Sequence, residues 1–275
     1  MTGSPERLRA AVERLAATSD SARLDVELLA AHSLGLEREA WLLDRSRLLP
    51  EAFEALVERR AWGEPIAYIV GRRGFWTIDV AVGPGVLVPR PDSETLIEVA
   101  VAHFAGTDGP GRVLDLGTGP GTLLLAALDQ WPEATGLGVE ASETALGFAR
   151  SNAARLGFDA RAEFRAGDWD EGIGERFDLV LCNPPYIAEG DPELAADVAA
   201  HEPREALIAG ADGLDDYRRI VPALPRLLAP CGLAVLEIGY RQGAAVSALV
   251  EAAGLAPRVA RDLGGRDRVV AAVQR

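Results

Sequence analysis

Four consecutive residues, Asn183-Pro184-Pro185-Tyr186, carry the most particular chemistry in this sequence. A planar amide nitrogen is a poor nucleophile because its lone pair is delocalised into the carbonyl. The side-chain oxygen of Asn183 can accept one N–H of such a group, and the Pro184 carbonyl can accept the other. The prolines restrict the backbone, push Asn183 out of the helical region and add no competing donor. Tyr186 supplies a face for a planar group. Together these residues would orient an amide or amine nitrogen toward an electrophile without a strong base.

A second constellation could hold the electrophile. Residues 113–121 read Val-Leu-Asp-Leu-Gly-Thr-Gly-Pro-Gly, a buried strand running into a glycine-rich turn. Glycines let a backbone approach a ligand closely, and the carboxyl edge of an α/β sheet is where such folds bind cofactors. On its own this loop fits a dinucleotide fingerprint, a methyltransferase loop or an ordinary tight turn. Asp115 ahead of the first glycine, and the missing later glycine of the dinucleotide pattern, favour the methyltransferase reading. Gly117, Thr118, Gly119, Pro120 and Gly121 would then face the amino-acid moiety of the cofactor. Glu140, about twenty residues on, can accept from both ribose hydroxyls. Asp168 can accept from an adenine amino group, and Trp169 can cover the adenine face.

These residues need a scaffold. Strands are expected at 112–116, 135–140, 162–165, 177–182 and 233–238, alternating with helices such as 122–130 and 142–156, which is the signature of a mostly parallel α/β sheet. Residues 258–262 and 268–273, flanking Gly264-Gly265, read as a terminal antiparallel hairpin. The first seventy residues read instead as a small helical unit, with a Ser4-Pro5 cap and helices near 21–35, 37–44 and 50–62. Between the two, 75–88 is expected to form a β-hairpin that turns at Gly83-Pro84-Gly85. Ser93 or Asp92 would cap a helix over 94–105.

The chain has 275 residues, a net charge of −14 and hydrophobic residues at 48% of positions, so a large core is affordable and disorder is excluded. The acidic balance disfavours a nucleic-acid partner. That every basic residue is Arg reads as a compositional bias. No apolar run could span a bilayer, and the N-terminus lacks the apolar core of a secretory signal, so a cytoplasmic protein is expected. Cys182 and Cys231 fit neither a metal motif nor a disulfide framework, and His32, His103 and His201 lie apart; no metal is expected.

The chain resembles the release-factor glutamine methyltransferases, the PrmC/HemK family, along almost its whole length. The similar segments are Glu64-Pro65-Ile66-Ala67-Tyr68-Ile69-Val70-Gly71, Phe75, Val88-Pro89-Arg90-Pro91-Asp92-Ser93-Glu94, the glycine loop and 183–187. They continue through Glu202-Pro203-Arg204-Glu205-Ala206-Leu207, Asp212-Gly213-Leu214-Asp215, Leu236-Glu237-Ile238-Gly239 and Asp262-Leu263-Gly264-Gly265-Arg266-Asp267-Arg268. The resemblance implies a helical substrate-recognition domain over 1–73, a β-hairpin linker over 74–90, and a Rossmann-like class I methyltransferase domain with a seven-stranded sheet over 91–275. It implies S-adenosyl-L-methionine as cofactor and S-adenosyl-L-homocysteine as product. The acceptor would be the Gln side-chain N5 in the Gly-Gly-Gln motif of class-1 peptide chain release factors, methylated by a monomeric enzyme. Asn183 and Pro184 would be catalytic, 183–186 would hold the Gln, and 117–121, Glu140, Asp168, Trp169 and Asn183 would line the cofactor. Two positions depart from the family pattern: Pro120 stands where Ser is usual, removing a backbone donor, and Glu140 stands where Asp is common. A sister enzyme acting on a ribosomal protein, an adenine-N6 methyltransferase and a non-catalytic cofactor-binding protein are the alternatives.

Overall fold

A computed structural model describes residues 4–274, so Met1, Thr2 and Gly3 of the expected non-secretory N-terminus lie outside the described residues. The chain divides into two compact units. The first comprises residues up to Arg72 together with Ala195–His201; the second comprises Arg73–Leu194 and Glu202–Arg275.

In the first unit, α1 (Ser4–Leu15), α2 (Ala22–Ser33), α3 (Arg38–Leu43), α4 (Ala52–Ala61) and α5 (Ile66–Val70) enclose a core that includes Leu15, Leu29, Trp41, Phe53 and Ile69. Asp25 is buried there and accepts from Arg60 at 2.7 Å, so its charge is paired. Ser4 does not serve as the expected cap. It lies inside α1, and its hydroxyl donates to the Arg47 carbonyl and accepts from the Leu49 amide.

A two-stranded hairpin follows, β1 (Arg72–Phe75) and β2 (Ile78–Ala81), which belongs to the second unit from Arg73 onward. Its turn falls at Trp76-Thr77, not at Gly83-Pro84-Gly85 as the sequence suggested, and 86–88 is not a strand. Two contacts explain the shift. Trp76 takes a left-handed φ of 53° and is fixed there by bonds from its backbone amide to Glu94 and from its indole to Gln130. Gly83 and Gly85 instead pack against a helix of the sheet domain: a Cβ at Gly83 would lie 3.1 Å from Phe148, and one at Gly85 would lie 3.0 Å from Thr144. The glycines therefore allow close packing and make no hairpin turn.

A single 3₁₀ turn at Pro91–Ser93 leads into α6 (Glu94–His103), without a side-chain cap from Ser93. There follow β3 (Arg112–Leu116), α7 (Thr122–Gln130), β4 (Thr135–Glu140), α8 (Glu143–Leu156), β5 (Ala162–Ala166) and β6 (Phe177–Cys182). Ser142 caps α8 through the Ala145 amide. After α9 (Ala196–His201) come α10 (Asp215–Ile220), α11 (Leu224–Leu227), β7 (Leu228–Glu237), α12 (Gly243–Ala252), β8 (Leu255–Arg261) and β9 (Asp267–Gln274). The seven strands lie in the order β5-β4-β3-β6-β7-β9-β8, all parallel except β9. Chain order reverses between β3 and β6, and at such a switch point the loops leaving neighbouring strands part and leave a crevice. Buried Val113, Leu114, Leu116, Leu179, Val180 and Leu181 make the two central strands apolar on both faces, as a covered parallel sheet requires.

Candidate active site

The glycine loop leaves β3 at this switch point. Gly117, Gly119 and Gly121 have φ of 68°, 56° and 86°, a region that L side chains rarely enter. The Gly117 and Thr118 amides donate to the Val139 carbonyl at 2.9 and 3.0 Å, which ties the loop to β4. Glu140, at the end of β4, accepts from the Gly119 and Ser142 amides, each at 2.9 Å. Pro120 cannot donate, yet it is anchored through its carbonyl, which accepts from Asn152 Nδ2 at 2.9 Å.

Asp115 lies beneath this loop, 1% exposed. Its Oδ2 accepts from the Thr118 hydroxyl at 2.6 Å and the Leu124 amide at 3.1 Å, while Oδ1 has no hydrogen-bond partner among the described residues. Burial pushes its pKa up to about 7, against the pull of those two donors. Trp169 also takes a left-handed φ of 53°, and a Cβ at Gly117 would lie only 3.0 Å from its ring, so the glycine there makes room for the indole.

These elements surround a cavity of about 500 Å³. Of the residues singled out in the sequence, Gly117, Thr118, Gly119, Pro120, Glu140, Asp168, Trp169, Asn183 and Pro185 line it. Gly121, Pro184 and Tyr186 are not in its wall. Gly121 is the N-cap residue ahead of α7 and packs against Leu125 and Ala149. Asp168 is exposed and its Oδ2 accepts from Arg219 at 2.5 Å, so an adenine amino group would share that carboxylate with a guanidinium.

Other lining residues were missed in the sequence. Asp216, on α10, faces the cavity, and burial holds its carboxyl above the usual range. Glu205 lines it as well. Glu202 is buried and accepts from the Val88 amide at 3.0 Å and from Arg90, which fastens the proline-rich segment beside the Pro89 wall. The charged lining thus consists of Asp115, Glu140, Asp168, Glu205 and Asp216, with no Arg, Lys or His. Such a wall suits a cation and repels a pyrophosphate. Asp115 Oδ1 in particular is a buried acceptor that a positive ligand would satisfy.

The tetrapeptide emerges from β6, next to β3. Asn183 is half-buried, and its side chain makes no hydrogen bond with any described residue. Pro184 and Pro185 are buried. Tyr186 is held at both ends: its carbonyl accepts from Gln242 Nε2 at 2.9 Å, and its hydroxyl donates to Glu237 Oε1 at 3.3 Å. Burial and the nearby Glu237 push the phenol pKa up, so it stays a donor.

The sheet order, the glycine loop against a strand-end carboxylate and the cation-matched cavity define an S-adenosylmethionine-dependent methyltransferase of the class I fold. Residues 108–233 match the family model of a methyltransferase domain, and residues 6–71 match that of the PrmC N-terminal domain. The chain is 45% identical to the release factor glutamine methyltransferase of Rhodospirillum rubrum, over 92% of this chain and 79% of that protein. It is 46% identical to the one of Cereibacter sphaeroides, over 97% of each. The chain belongs to the release factor glutamine methyltransferase family. Among solved structures, the 16S rRNA N2 G1207 methyltransferase of T. thermophilus in complex with AdoMet and guanosine has a TM-score of 0.53 at 21% identity, covering 74% of this chain and 50% of that one. The ribosomal protein L11 methylase of Lactobacillus delbrueckii subsp. bulgaricus has a TM-score of 0.51 at 19% identity, covering 71% and 85%. Both likenesses concern the fold alone. Among the described residues no helix is long and apolar enough to cross a membrane.

Proposed function

We propose that this enzyme transfers methyl from S-adenosyl-L-methionine to the side-chain N5 of the Gln in the Gly-Gly-Gln motif of class-1 peptide chain release factors. The observation that carries this reading is Asn183, with its amide unengaged, at the switch point beside a cation-matched cavity in a chain about 45% identical to named release factor glutamine methyltransferases. The cofactor supplies an electrophilic methyl on a sulfonium centre. Asn183 Oδ1 and the Pro184 carbonyl accept the two amide N–H groups, fix the plane of the Gln amide and aim its nitrogen at the cavity. Pro185 closes the wall, and Tyr186 covers the amide from its side. Glu140 takes the ribose diol, Gly117 to Gly121 the amino-acid end, and Asp168 with Trp169 the adenine.

Residues 1–73 act as the substrate-recognition domain, 74–90 as the linker and 91–275 as the transferase. The enzyme works in the cytoplasm, as a monomer, on a protein and without direct contact to nucleic acid. Incubation with release factor and methyl-labelled cofactor, compared with release factor in which the motif Gln is replaced by Ala, tests the acceptor; equal labelling of both defeats it. For the mechanism, Asn183→Ala is expected to abolish turnover while cofactor binding survives, and near-normal turnover in that variant counts against the orienting role.

A further inference from the structure

Glu237 ends β7 behind the tetrapeptide, 1% exposed and outside the cavity wall. Burying a carboxyl in an otherwise apolar strand is costly unless the group serves a neighbour. Its neighbour is Tyr186, whose hydroxyl donates to Oε1 at 3.3 Å. The Glu237 main chain is itself pinned, because its carbonyl accepts from the buried Tyr217 hydroxyl at 2.6 Å. The opposite end of Tyr186 is held by Gln242, which also donates to the Gly213 carbonyl at 3.1 Å and accepts from the Gly239 amide at 2.9 Å. The aromatic ring three residues after Asn183 is therefore clamped at its backbone and at its hydroxyl.

We propose that Glu237 is a positioning residue for methyl transfer, acting through the Tyr186 hydroxyl to fix the slot that Asn183 and Pro184 form. The proposal rests on the function proposed above. A tyrosine held only at its backbone can tilt, and the amide plane it covers tilts with it. Angular freedom of that kind lowers the fraction of bound acceptor aligned for attack and leaves the cofactor's own contacts intact.

The groups around the carboxyl are few. Ser93 and Asp92 approach from the turn before α6, Cys182 from β6, Tyr186 from the segment after it, Tyr217 from α10 and Arg268 from β9. Arg268 is independently bonded to Asp262 and Asp92, so removing the Glu237 charge does not strand a buried cation. Glu237→Leu, which removes both carboxyl oxygens and keeps a similar bulk, should fold.

The test compares wild type, Glu237→Leu, Tyr186→Phe and the double variant on release factor, with S-adenosylhomocysteine binding measured on each. Each single change is expected to lower kcat about tenfold, with the Kd of S-adenosylhomocysteine within about twofold of wild type. The double variant should be no slower than the slower single variant, because both changes remove one contact. Wild-type kcat in Glu237→Leu overturns the proposal, as do losses that multiply in the double variant. A loss of S-adenosylhomocysteine binding together with turnover makes the role structural and overturns it as well. Wild-type enzyme that leaves release factor unmethylated overturns the functional reading, and the proposal with it.

Discussion

Asn152 gives the sharpest test of how the glycine loop is held. It lies on α8, fully buried; its side chain makes three bonds to distant backbone and accepts a fourth, at 3.3 Å, from Arg155 on the same helix. Oδ1 accepts from the Ala81 amide at 2.7 Å; Nδ2 donates to the Ala81 carbonyl at 3.0 Å and to the Pro120 carbonyl at 2.9 Å. One amide thus joins the end of β2 to the glycine loop. Asn152→Ala removes the three backbone bonds at ~1 kcal/mol each, and loss of the bond from the largely solvated Arg155 adds little. Alanine returns ~0.5 kcal/mol through its higher helix propensity. The buried Pro120 carbonyl, which water reaches poorly, adds about as much again on the unfavourable side. The net expected loss is about 3 kcal/mol, or about 6–12 °C in Tm for a unit of this size. Urea unfolding followed by tryptophan emission measures it, with an unchanged m-value as the sign that the folded state is otherwise intact. Asn152→Asp keeps the Ala81 amide bond but sets a carboxylate against two carbonyls, and should be at least as damaging. A loss below about 1 kcal/mol in Asn152→Ala would show that water replaces the side chain, and the account of loop anchoring would then be wrong.

The remaining predictions concern the cofactor. Asp115 has a folded pKa of about 7 against an ordinary 3.8, so between those values the folded state binds more protons and this group's contribution to stability falls as pH rises. A cationic cofactor prefers the ionised form, so its Kd should weaken about tenfold from pH 8 to pH 6. Asp115→Asn should flatten that dependence in calorimetric titrations, and an unaltered slope would remove Asp115 as its source. Gly117→Ala places a methyl 3.0 Å from Trp169 at a φ of 68°. The backbone alone costs ~1–2 kcal/mol. Cofactor affinity should fall roughly tenfold or more, read by Trp169 quenching, and unchanged affinity would mean the indole does not border the bound cofactor.

Much of the sheet was legible because β3, β4 and β6 are short, mostly apolar segments set between turn-forming or helical stretches, and their limits coincide with the expected ones. The hairpin was misread for a physical reason. Gly83-Pro84-Gly85 has turn composition, whereas the actual turn uses a tryptophan in a left-handed conformation that bonds to distant Glu94 and Gln130 supply. Helix α5 and the short helices after residue 186 are too brief to show a period. At the site, the glycine loop and Glu140 could be read from local spacing. Asp216, Glu205 and Glu237 could not, because an isolated carboxylate in sequence gives no sign of being buried or aimed at a cavity. The acidic character of the cavity is a property of five residues from five separate segments, assembled only by the fold.

The position of β9 bears on how the chain is made. It is the last of the described strands, yet it lies inside the sheet between β7 and β8, and among the described residues β8 pairs with no other strand. During synthesis, the strands up to β7 can assemble as soon as they emerge. β7 then presents an open edge until the residues up to Gln274 have left the ribosome, and β8 waits unattached beside it. An exposed, apolar strand edge is a site for misassociation. Arg268, which braces Asp262 and Asp92, arrives on that same late strand. The nascent chain therefore passes through a vulnerable state before β9 inserts, and truncations that cut into β9 should be judged by their effect on this closing insertion.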